Sequence, residues 1–161
     1  MVADEQFSCQ VLVNLWPKII AFGALVGLAW SFVPGALSEL FRGAGQTITV
    51  VVSGIFTGAT VSLLFKRPLS SLGPSGAFAL GVASLPLGGF VFGVVISCTH
   101  VLVRLLTGVQ YRFAYDFSPF RAGIEYAVMS CISVFTIVLL PMAILTTYLL
   151  FRVTRGVSHG A

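Results

Sequence analysis

Charged residues and long apolar runs are kept apart along this chain. Four stretches contain no Asp, Glu, Lys or Arg: 19–38, 43–65, 68–103 and 126–151. A helix needs about 20 mostly apolar residues to cross the roughly 30 Å of bilayer hydrocarbon, and every stretch is at least that long. The pattern predicts an all-α fold, a polytopic membrane protein with four transmembrane helices at about 17–37, 44–65, 74–103 and 122–151. Together they form a single integral membrane helical bundle over 1–161, with an aromatic polar loop at 104–121.

The ends of these spans follow from local chemistry. Pro17 suits a first helical position because its missing N–H needs no partner there. Lys66, Arg67 and Pro68 predict a sharp stop to the second span, since two charges want water and the ring cannot continue the helix. Gly73 and Pro74 start the third, and Ser118 followed by Pro119 caps the fourth. Arg121 and Glu125 then stand one turn apart and can pair on an exposed face.

The third stretch covers 36 residues, too many for one perpendicular crossing at about 1.5 Å each. The third and fourth spans are expected to be kinked at proline. Pro86 frees the carbonyl of Val82, and Pro141 frees that of Ile137, with Thr136 near enough to help satisfy the backbone. Small residues crowd around Pro86, and a kinked, tilted helix is favoured there over a re-entrant one.

Composition agrees with a lipid environment: charged residues make up 9% of the chain, against about 25% in soluble domains. The net charge of +4 does not point to nucleic acid, because the basic residues flank the spans, at headgroup depth. Lys18, Lys66, Arg67, Arg152 and Arg155 fall on one side, and Arg42, Arg104, Arg112 and Arg121 on the other. Four crossings put both termini on the same side. Five basic residues against four favours cytoplasmic termini only slightly. Asp4 and Glu5 stand where a cleavable signal would carry basic residues, so the first span is expected to act as its own signal. The short apolar segment 7–16 is expected to lie along the interface, with Trp16 among the headgroups.

Within the spans, Gln46, Thr49, Ser53, Thr57 and Thr60 recur at steps of three and four, which predicts one polar stripe on the second helix. Such a stripe can line a pore or substrate path, or can make hydrogen bonds between helices. Packing is the favoured reading. Three small-xxx-small spacings accompany it: Gly23 with Gly27, Gly54 with Gly58, and Gly89 with Gly93. They predict close helix packing in a tight bundle or oligomer.

In the loop, Tyr111, Phe113, Tyr115 and Phe117 alternate, so an extended strand places all four rings on one face. This run is a candidate for docking another subunit or for the aromatic belt of the membrane. His100 could ligate haem only if a second histidine joined it, and His159 is the other one in the chain; an ordinary interfacial histidine is the favoured reading. No cofactor is otherwise expected. Cys98 and Cys131 fall at similar predicted depth, so a disulfide between them is left open.

No ionisable group interrupts a span, which argues against proton-coupled transport. No nucleophile, base and orienting acid form a known motif, so an enzyme is the least supported class. The expectation is a structural or accessory subunit of a larger membrane complex, partnered by lipid and by other membrane subunits or copies of itself. The alternative is a homo-oligomeric channel or facilitative transporter with a hydroxyl-lined path on the second span. A haem-anchoring subunit comes third.

Overall fold

A computed structural model describes residues 16–31, 44–108, 118–133 and 136–156. They form five α-helices: α1 (Trp16–Ser31), α2 (Ala44–Ser71), α3 (Pro74–Thr107), α4 (Pro119–Ile132) and α5 (Thr136–Gly156). Three segments are long and apolar enough to cross a membrane: Thr47–Leu69, Pro74–Leu106 and Thr136–Thr154. Trp16–Ser31 is apolar but shorter. Length and composition together mark an integral, multi-pass membrane protein.

α3 is the spine. Gly73 in extended conformation precedes Pro74 at the first turn, and Gly108 ends the helix with φ +67°, a left-handed geometry that costs glycine little. The N–H of Gly108 donates to the carbonyl of Arg104 at 2.9 Å. Between these ends the helix runs 34 residues, about 51 Å, and continues through Pro86. The third stretch is therefore one helix and not a re-entrant pair.

Two expectations are corrected. α2 does not stop at Lys66–Pro68 but continues through Pro68 to Ser71. Leu69, fully buried in a cluster with Ile19, Phe65, Ala77, Leu150 and Phe151, supplies the packing that offsets the hydrogen bond Pro68 cannot make. The fourth expected span, 122–151, is two helices. It breaks at Ser133, whose extended backbone ends α4, while Pro141 lies inside α5 without ending it.

Hydroxyl groups explain where that break falls. Serine and threonine compete for backbone partners and weaken helix interiors. The N–H of Ser133 donates to Met129 at 3.0 Å, and that of Thr136 to Ser133 at 2.9 Å. The Thr136 hydroxyl reaches back and donates to the carbonyl of Ser130 at 2.8 Å. Ser130 meets Leu85 of α3, and Leu139 of α5 clusters with that same Leu85. The eight residues between them make almost no headway along α3, so α4 and α5 follow the spine in different registers.

At the start of α4, Ser118 accepts from the backbone N–H of Arg121 at 3.3 Å, with Pro119 in the first turn. The helix then runs antiparallel to the C-terminal half of α3. α5 lies against the N-terminal half, which α2 also contacts.

Candidate functional site

The hydroxyl stripe and the glycine faces are the candidate site, and each is made by the crossing of two helices. α1 and α2 meet antiparallel with almost no side chain between them. Gly23 lies against Gly58, and Gly27 against Gly54. A Cβ added at Gly23 would sit 2.5 Å from the carbonyl oxygen of Gly58 and 2.6 Å from the hydroxyl of Ser62. One added at Gly27 would overlap the carbonyl of Gly54. Ser31 closes one end of the seam: its hydroxyl donates to Gly27 at 2.8 Å and lies 3.4 Å from the carbonyl of Val50 on α2.

The glycine pair of α3 meets α4. Gly89 lies against Tyr126, Ala127 and Ser130, and Gly93 against Ala122 and Gly123. The Ser130 hydroxyl donates across this seam to Leu85 at 3.0 Å, with the carbonyl of its own Ala127 at 2.8 Å. Aromatic rings frame it, with Phe90 edge-on to Phe120 at 5.7 Å and Phe92 edge-on to Tyr126 at 5.4 Å. Toward α5 the close approach is at Gly81, which lies beside Ile144.

The polar stripe does not stay on one side of the fold. Thr49 and Ser53 are buried, Thr57 is half-buried, and Thr60 is exposed. The Gln46 side chain lies outside the described residues. Further along α2 the buried positions move to Ser62, Phe65 and Leu69, as the helix passes from one set of neighbours to another. Thr57 donates to the carbonyl of Ser53 one turn back at 2.8 Å, an intrahelical bond that spends its proton locally.

Two buried polar atoms lack a hydrogen-bond partner among the described residues: the Ser53 hydroxyl and the Trp30 indole nitrogen. Trp30 packs on the cluster of Leu85, Leu139 and Ala143, near the level of the Ser133 break. Burying such a group unpaired costs about 1–3 kcal/mol.

Sequence reasoning missed Ser31, Ser62, Ser130 and Gly123 as packing residues, whereas Gly81 is one of the small residues around Pro86 expected to let a neighbour approach. A signal existed for α4, where Gly123, Ala127 and Ser130 place small side chains at i, i+4 and i+7. The other candidates lie apart from these seams. Pro86 and Pro141 sit within α3 and α5. Tyr111, Phe113, Tyr115 and Phe117 lie outside the described residues, as does His159. His100 is half-buried on α3, and among the described residues no three His, Cys, Asp or Glu side chains gather as a metal site.

Cys98 and Cys131 are free and exposed. The depth expected for them is corrected by the register of α4. With Gly93 level with Ala122 and Gly123, the two cysteines stand about 13 residues apart along α3, roughly 20 Å. Cys98 instead joins Val101, Leu102, Leu105 and Pro119 around an open apolar groove of about 290 Å³. No family model matches the chain, and no curated protein or solved structure matches it either.

Proposed function

We propose that this chain is a structural or accessory subunit of a larger membrane complex, contributing helices and surface and no chemistry of its own. The observation that carries this reading is where the close-packing faces are spent. The three glycine pairs and the hydroxyl of Ser130 are all used between helices of one chain. Large apolar side chains are left exposed on every helix, among them Leu25, Phe56, Leu105, Phe120 and Ile137 at 60–77%. Contact with another subunit then runs through large apolar side chains and not, as the sequence suggests, through glycine.

The mass and composition of the assembly extracted in mild detergent test this. The reading expects several different chains to co-purify in fixed ratio. A chain that extracts alone, or only with copies of itself, contradicts it.

The exposed Thr60, with the half-buried Thr57 a turn away, supports a second reading as a homo-oligomeric channel or facilitative carrier. Ser53 is closed off inside the chain, so a path would run between copies, past Thr57 and Thr60. Solute flux into liposomes holding only this protein, blocked by Thr60→Trp, would favour that reading over the first.

A further inference from the structure

One end of the bundle gathers basic residues from three helices. One buried cluster joins Ile19 of α1, Phe65 and Leu69 of α2, and Leu150 and Phe151 of α5. Each of these helices carries a cation next to its cluster residue: Lys18 beside Ile19, Lys66 and Arg67 after Phe65, and Arg152 after Phe151. Shared packing therefore holds four cations at one depth, on three different helices around the rim.

Amphipathic rings mark that depth as a membrane boundary. Lys66 Nζ lies 4.3 Å over the ring of Trp16, which is itself 48% exposed. Arg152 donates to the Tyr148 hydroxyl at 3.2 Å. Among the described residues the one carboxylate is Glu125, and it lies toward the opposite end, where Arg121 pairs with it at 3.1 Å. Arg104 lies at that end too, so among the described residues four cations stand at the ringed end, and two cations with one carboxylate at the other.

We infer that the end ringed by Lys18, Lys66, Arg67 and Arg152 binds anionic phospholipid headgroups. The ring meets several lipids of the surrounding annulus at once, because Lys18, Arg67 and Arg152 are exposed on three different helices. Long basic side chains reach headgroup phosphates while their stems stay against the apolar bundle. Each cation near an anionic surface favours it by about fivefold. The inference places this end in the leaflet richer in anionic lipid, and it is independent of whether the chain serves as an accessory subunit.

Trp16 provides the probe. The full chain is reconstituted in vesicles containing either brominated phosphatidylglycerol or brominated phosphatidylcholine at equal mole fraction, and tryptophan quenching is compared. Trp30, with its indole nitrogen buried, supplies a constant background. The expected result is stronger quenching by the anionic lipid, weakening as sodium chloride is raised and falling about fivefold in selectivity for each of Lys18→Gln, Lys66→Gln and Arg152→Gln. Lys66→Arg should retain it. Equal quenching by both lipids in the wild-type chain overturns the inference, as does selectivity that survives all three substitutions. Inorganic phosphate that abolishes selectivity, where chloride of equal ionic strength does not, also overturns it by revealing a single phosphate site.

Discussion

Replacing Gly23 with alanine adds one methyl group at the tightest helix crossing. Its Cβ would stand 2.5 Å from the Gly58 carbonyl oxygen and 2.8 Å from the Cβ of Ser62. Ordinary C···O contacts fall near 3.3–3.6 Å, so α1 and α2 must part by about 1 Å. The Ser62 hydroxyl, 2.6 Å away, can turn aside, but the Gly58 carbonyl and the Ser62 Cβ cannot, because one is backbone and the other is the first carbon of a buried side chain. Parting also stretches the Ser31 to Val50 contact, already 3.4 Å, beyond hydrogen-bonding range. Overpacking of this kind costs about 1–3 kcal/mol.

Gly88→Ala is the matched control, since a Cβ there meets nothing within 4 Å and alanine favours the helix by about 0.5–1 kcal/mol. Unfolding of both variants in mixed detergent micelles, followed by circular dichroism, gives the comparison. Gly23→Ala should lower the midpoint and Gly88→Ala should leave it unchanged or raise it. A Gly23→Ala chain as stable as the Gly88→Ala chain would refute the close α1–α2 crossing.

Further outcomes follow from single hydroxyls. Ser130→Ala removes the bond to Leu85 across the α3–α4 seam and should cost about 0.6–1.7 kcal/mol in the same unfolding assay; an unchanged midpoint would show that the bond contributes nothing. Ser53→Ala removes a buried hydroxyl that has no partner among the described residues, so stability should hold or rise by up to about 1 kcal/mol, and a clear loss would mean that Ser53 is satisfied after all.

Much of the architecture was readable from the chain because lipid imposes simple rules. Apolar length marks α2, α3 and α5, and proline with its neighbours marks the starts of α3 and α4. What could not be read is pairing. Glycine spacing shows where a backbone can come close, but nothing in the spacing of Gly89 and Gly93 says that the partner is α4 and not another chain. The Ser133 break was hidden for a related reason. Pro141 is the stronger local breaker, yet it falls in the second turn of α5, where a helix loses one hydrogen bond and continues. Packing on Leu85 from both Ser130 and Leu139 favours a break eight residues earlier. The stripe on α2 was misleading because a helix can exchange neighbours along its length, so equal spacing from Thr49 to Thr60 does not mean equal surroundings.

The register along α3 underlies the whole arrangement, since it decides which faces are spent inside the chain and which are left for a partner. Cys98 and Cys131 report on it directly. With Cys9 replaced by serine, spin labels on the two native thiols and pulsed electron paramagnetic resonance in lipid nanodiscs give their separation. The account predicts about 20 Å or more, because α4 runs back along the spine before Ser133. A separation near 10 Å, as one unbroken helix paired end to end with α3 would give, would contradict it.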